Sequence, residues 1–157
     1  MRITNVFKKL LNLQDLRVQA VNFDVDSSII RVAVVPTHGK HRCPQCDFST
    51  AGRYDSDLRS WRHVALGRWR IELTYPICRL SCPTHGVLTE AVPWAQPHSC
   101  FTTDFEALVA WTAQQMSKSA VTRLLHIAWQ TVGQIIQRVV HRKQNADRLN
   151  NLDIRCF

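Results

Sequence analysis

The four-residue string Cys43-Pro44-Gln45-Cys46 recurs, with one substitution, as Cys82-Pro83-Thr84-His85. Each string is a short knuckle in which two metal-ligating side chains are separated by two residues, and the proline after the first cysteine shapes the turn. Two such knuckles supply four ligands, the number that closes a tetrahedral structural zinc site with no position left for water or substrate. No other feature constrains the fold as much, because an ion held in this way fixes two distant loops against each other. A site of this kind contributes roughly 10–16 kcal/mol, comparable with or greater than the whole stability of a small module. The expected cofactor is therefore a structural Zn²⁺ held by Cys43, Cys46, Cys82 and His85. Cys78 lies four residues before Cys82, so the pair Cys78–Cys82 could replace Cys82–His85. The repeated C-P-x-(C/H) form and the turn-favouring Gly86 point to His85.

A chain of 157 residues holds one ordinary domain or two small ones. Its six cysteines do not form a secretory pattern. Met1 to Leu13 carries Lys8 and Lys9 and no uninterrupted apolar stretch of the signal-peptide kind, and no run approaches a membrane span. The expectation is a reducing, cytoplasmic compartment, where paired cysteine knuckles hold metal, and no membrane partner. The formal net charge of +8 favours a polyanion, with nucleic acid first. From Met116 onward there are seven Lys or Arg against two acids, which concentrates that charge in the last third.

Periodicity divides the chain. Ile3 to Leu13 is an amphipathic helix candidate with Val6, Leu10 and Leu13 on one side. Leu16–Phe23 and Ser28–Val35 then read as a hairpin across Asp24-Val25-Asp26-Ser27. Between the knuckles, Trp69, Ile71, Leu73 and Tyr75 alternate with Arg68, Arg70, Glu72 and Thr74, the signature of a half-buried strand. A strand over about 58–66 would pair with it across a turn at Gly67. Pro93 and Pro97 mark a linker near 93–100.

Beyond the linker the period changes from 2 to 3.6. Thr103-Asp104-Phe105-Glu106 reads as a capping box opening a helix striped by Phe105, Leu108, Val109, Thr112 and Met116. Ser119 can cap a second, shorter helix carrying Val121, Leu124 and Leu125. Val132, Ile135, Ile136, Val139 and Val140 stripe a third, over about 129–142. The expected fold class is α+β: a small antiparallel β zinc-binding module followed by a three-helix helix-turn-helix module. The expected boundaries are 1–38 for the N-terminal helix and hairpin, 39–95 for the zinc module, 101–143 for the helices and 144–157 for a basic tail.

The apolar stripe of the third helix leaves Gln130, Thr131, Gln134, Gln137, Arg138 and Arg142 outside. Gln pairs bidentately with adenine, Thr meets a thymine methyl, and Arg reads guanine or grips phosphate, so the set suits the major groove of double-stranded DNA. A bland alternative is a helical bundle with a solvated polar face. Arg59, Arg62 and His63 with Arg68 and Arg70 interleave cations and aromatics on the expected sheet, either to grip phosphates or merely to decorate its surface. Catalysis has no counterpart here: the sequence contains no nucleophile triad order, phosphate loop or cluster of carboxylates for two-metal chemistry.

The order of these parts resembles the ISL-type insertion-sequence transposases of bacteria. The resemblance rests on a sheet with a CPxC knuckle, the string DLRSWRH and a CPxH knuckle followed by Thr89-Glu90 and Pro93. It ends on helices closing in TVGQIIQRVV. It implies that the zinc and helix-turn-helix modules bind the terminal inverted repeats of a mobile element. It also implies a C-terminal RNase H-like DDE domain that cuts and joins DNA with divalent metal. Two departures stand out: His85 occupies a position where the family commonly has Cys, and the sixteen residues after His141 cannot form the catalytic fold. The DNA-binding roles are carried over and no catalytic residue is assigned, Asp153 included. Competing expectations are a free-standing repressor that occupies the same DNA ends and a zinc-stapled protein-interaction module. Further partners would be the full-length transposase or a second copy of the chain, in the cytoplasm and on the nucleoid when bound to DNA.

Overall fold

In the computed structural model, which describes residues 2–11, 15–37 and 39–153, with side chains described through residue 145, the chain forms two compact units. They are Met1–Thr103 and Asp104–Phe157. The α+β class expected from sequence is what is observed.

The first unit opens with helix α1 (Ile3–Leu10), followed by strands β1 (Leu16–Asp24) and β2 (Ile29–Pro36), which pair antiparallel as the hairpin expected. β5 (Asp55–Leu66) and β6 (Trp69–Cys82) form a second, longer hairpin whose turn holds Gly67 at φ 58. That left-handed conformation is one a residue with a Cβ adopts at a cost. One feature corrects the sequence expectation: β2 runs parallel to β6, from Ile29 opposite Arg70 to Ala33 opposite Thr74. The sheet is thus mixed, in the order β1-β2-β6-β5, rather than purely antiparallel. Both hairpins present an apolar face, and side-by-side pairing lets them bury it together.

That buried face is built from Val18, Ile30, Val32, Val34, Trp61, Ile71, Leu73 and Tyr75. Alternation along β6 is as read from sequence, with Ile71, Leu73 and Tyr75 buried and Arg70 exposed. α1 covers part of this face, but with Phe7 and Leu11 rather than Val6 and Leu10, which are 38% and 49% exposed. Leu13, the third residue of the expected stripe, lies outside the described residues. The expected linker is also corrected. Trp94 is 3% exposed and packs edge-on against Trp61 and Tyr75, at ring-centroid distances of 5.5 and 5.4 Å. The two prolines interrupt regular structure without taking the segment out of the core. Farther along, Thr102 N–H donates to the Arg62 carbonyl (3.0 Å) and covers the edge of β5.

The second unit contains α2 (Thr103–Gln115), α3 (Lys118–Leu125) and α4 (Trp129–Asp153). Ser117, not Ser119, caps α3, its hydroxyl accepting from the Ala120 N–H at 3.3 Å. α3 stops at His126, which is left-handed (φ 50, ψ 53) and donates its N–H to the Thr122 carbonyl. α4 restarts at Trp129 and extends to Asp153, past the expected end near Arg142 and through most of the segment read as a tail. Val109, Val121, Val132 and Ile135 are fully buried, whereas Leu124 and Val140 of the expected stripes are 55% and 47% exposed.

The capping box is replaced by a different interaction. Thr103 N–H donates to the Trp94 carbonyl (2.8 Å), and Glu106 is fully buried. Its carboxylate accepts from Arg138, at 2.9 Å from Nε and 2.8 Å from a terminal nitrogen, tying α2 to α4. A buried carboxylate deprived of its cation keeps its desolvation penalty and loses the charge that answered it. Arg138→Ala is therefore expected to destabilise the helical unit by about 2–4 kcal/mol, somewhat less than the roughly 3–5 kcal/mol of a fully buried pair because Arg138 is partly exposed. Denaturant melts of the two proteins check this; a loss under about 0.5 kcal/mol would contradict it.

Candidate metal centre and helical face

Each knuckle is the turn of a short hairpin. The first joins β3 (His41–Arg42) to β4 (Ser49–Thr50), closed by Cys43 N–H donating to the Phe48 carbonyl at 2.9 Å. The second joins β6 to β7 (Gly86–Thr89), with Cys82 opposite Gly86 and Gly86 at φ 75. Leu80 and Phe48 pack with the cysteines, forming a small apolar cluster beneath the turns.

The two turns bring Cys43, Cys46, Cys82 and His85 together, with all four donor atoms within 4.8 Å of one another. Cys46 Sγ lies 3.6 Å from Cys82 Sγ, and His85 Nδ1 lies 3.8 and 3.6 Å from the sulfurs of Cys43 and Cys82. A tetrahedron with metal–sulfur bonds of about 2.3 Å and a metal–nitrogen bond of about 2.0 Å has edges of roughly 3.5–3.8 Å. The ligand atoms are therefore spaced as the corners of a coordination shell, and these residues could hold a metal ion.

The electrostatics agree. Burial works against ionisation of Cys82, yet its thiol is pushed down to about 6. The backbone N–H groups of Thr84 and His85, the His85 ring and Cys46 outweigh the burial. N–H groups directed at sulfur favour the thiolate, the form that binds metal. The alternative ligand Cys78 is elsewhere: it is 3% exposed, its Sγ lies 3.5 Å from the Pro76 carbonyl, and it groups with His41 and Glu90.

The expected DNA-contact residues divide into two sets. On the sheet, Arg68 is exposed, its guanidinium 5.7 Å from the Trp69 ring centroid. Arg70 is exposed and pairs with Glu72 at 3.0 Å, and half-buried Arg62 shares that face. Burial, then the Arg70 charge, lowers the pKa of Arg62, while Glu72 opposes the shift. Arg59 stacks over Trp61 at 5.4 Å and donates to the Ser99 carbonyl at 3.2 Å. His63 is corrected: at 6% exposure its Nδ1 sits 2.9 Å from the Thr102 hydroxyl, so it cannot reach a phosphate. The strand alternation that buries Trp61 buries His63 two residues later.

On α4, Gln130, Gln134 and Gln137 are exposed and Thr131 is half-buried. Arg142 is half-buried and lines a groove with Trp111 and Val140. Arg138 is corrected from a free base reader to the cation held by Glu106. Sequence reasoning missed Lys118, whose ammonium lies 3.3 Å from the Trp129 ring centroid. A Cβ at Gly133 would meet that ammonium at 3.0 Å, a contact that the flexible Lys118 side chain relieves by shifting slightly.

Substituting Cys82 by Ser is expected to abolish metal binding at the four-ligand site and release the first knuckle from the sheet, whereas Cys78→Ser leaves that site intact. Metal analysis with circular dichroism checks both. Acid should release the ion as protons compete with it for the thiolates, so metal content should fall as the pH is lowered.

Comparison with known proteins places these elements. Residues 90–140 match the family described as the helix-turn-helix domain of transposase family ISL3. The chain is also 42% identical over 114 residues to the transposase for insertion sequence element IS1557 of Mycobacterium tuberculosis, in strains CDC 1551 / Oshkosh and H37Rv. The match covers 71% of this chain and 26% of each relative, so the chain spans about a quarter of the length of the curated relatives it matches. No solved structure matches it. No helix among the described residues is long and apolar enough to cross a membrane. The helical region thus matches the helix-turn-helix domain of transposase family ISL3, and the chain is similar to curated insertion-sequence transposases over 71% of its own length.

Proposed function

We propose that this chain is a DNA-binding portion of such a transposase, recognising the terminal inverted repeats of its element. The observation that carries the reading is α4: it presents Gln130, Gln134 and Gln137 as an exposed polar row. Its apolar residues Val132, Ile135 and Val139 are buried. A short α3 and a three-residue turn at His126–Ala128 precede it, which is the arrangement of a helix-turn-helix with α4 as recognition helix.

Within that reading, Gln130 and Gln134 address base edges, and Thr131 meets a thymine methyl or sugar. Lys118 and Arg142 neutralise phosphates on either side. Arg68, Arg70 and Arg62 provide a second cationic surface on the sheet. Zn²⁺ is the resident metal, since three thiolates and one imidazole form a borderline-soft tetrahedral set that leaves no position for substrate. Its role is structural. Cutting and joining of DNA belong to chemistry that the described residues do not contain.

Salt titration of a labelled terminal-repeat duplex tests the reading. Affinity should fall steeply and linearly in log–log form, with a slope of about one per phosphate contact. Gln134→Ala should weaken binding to the terminal repeat by roughly 10-fold or more while scrambled duplex changes little. Equal losses on both duplexes would remove base reading by α4, and salt-insensitive binding would remove the DNA reading altogether.

A further inference from the structure

Apart from the four-ligand centre, a second set of metal-binding side chains converges within the first unit. His41 of β3, Cys78 of β6 and Glu90, just beyond β7, place one donor atom each within 4.8 Å of the others. Glu90 is 6% exposed and Cys78 3%. A buried carboxylate, an imidazole and a thiol drawn from three separated segments are an unusual grouping for a sheet edge, because each is expensive to desolvate without a partner.

The carboxylate is already oriented. Glu90 Oε1 accepts from the Cys78 backbone N–H at 2.8 Å, and Oε2 lies 2.6 Å from His41 Nδ1. Each carboxylate oxygen has a second lone pair, so these bonds leave coordinating capacity. Glu90 also lines a cavity of about 210 Å³ bounded by Asp15, Lys40, Arg42 and Pro93. Neither His41 nor Cys78 lines that cavity, so Glu90 is the ligand through which an ion on that side would meet the group. Lys40 and Arg42 on the cavity rim, and Arg53 near Cys78, oppose a cation and lower its affinity.

We propose that His41, Cys78 and Glu90 form a second, weaker and open site for a divalent borderline metal ion such as Zn²⁺. Binding takes the neutral imidazole of His41 and the carboxylate of Glu90 as ligands and displaces the Cys78 thiol proton, which is released to solvent. The three protein ligands with one exchangeable position contrast with the closed centre. In this arrangement the second ion would join β3, the start of the first knuckle, to β6 and the end of the second.

The test is metal stoichiometry on the full chain, first loaded with one equivalent of Zn²⁺ and then titrated with Cd²⁺ and followed by cadmium NMR and thiolate absorbance. The expected result is two ions per chain at saturation, the second binding at least 10-fold more weakly. Its resonance should fall in a one-sulfur environment, distinct from a three-sulfur one. Glu90→Gln and Cys78→Ser should each lose the second ion and keep the first, and Cys100→Ser should keep both. One ion per chain, or a second that survives Glu90→Gln and Cys78→Ser, overturns this proposal alone. Binding of no ion overturns the four-ligand centre as well. The wild-type resonance count stands even if a variant fails to fold.

Discussion

Everything in the first unit converges on two turns that must be held together. β6 is the common element: it pairs with β2, β5 and β7, and its last residue, Cys82, is one of the four that could hold a metal ion. The first knuckle, by contrast, sits on a two-stranded ribbon of two residues per strand, too short to persist unaided. Cys43, Cys46, Cys82 and His85 connect the ribbon to the long strand. Three polar contacts reinforce the same join: the Arg42 carbonyl accepting from Ala91, the His41–Glu90 pair, and Glu90 accepting from Cys78 N–H. An ion at the four ligands would convert a marginal ribbon into a fixed corner of the sheet.

The helical unit rests on a different constraint. Its core is thin, and a fully buried Glu106 lies within it, answered by Arg138. Ion pairs of this kind seldom add net stability over an apolar replacement, but they penalise any packing that separates the partners. The pair thereby sets the rotation of α4 about its axis, and with it the direction in which Gln130 and Gln134 point. Lys118 performs a related task at the start of the helix, seated in the notch that Gly133 leaves and stacked on the indole of Trp129.

Much of this was legible in the residues alone. The repeated knuckle pointed to the four residues that the fold brings together, because spacing and turn chemistry are local, and the faultless alternation of β6 named its buried face for the same reason. The three helices followed from their stripes. What could not be read depends on partners distant in sequence. Nothing local shows that β2 would lie parallel beside β6, or that Trp94 would fill the space between Trp61 and Tyr75. Glu106 carried the appearance of a capping residue because its role depends on Arg138, thirty-two positions later. His63 shared a string with arginines that stay near the surface, and only the pleat of β5 separated it from them.

X-ray absorption at the zinc edge, on protein loaded with a single equivalent of the metal, tests the central claim most directly. The account predicts a first shell of three sulfurs at about 2.3 Å and one nitrogen at about 2.0 Å, with no light-atom ligand from solvent. A four-sulfur shell would put Cys78 in place of His85. A shell dominated by oxygen would show that the two turns are held together by something other than the ion.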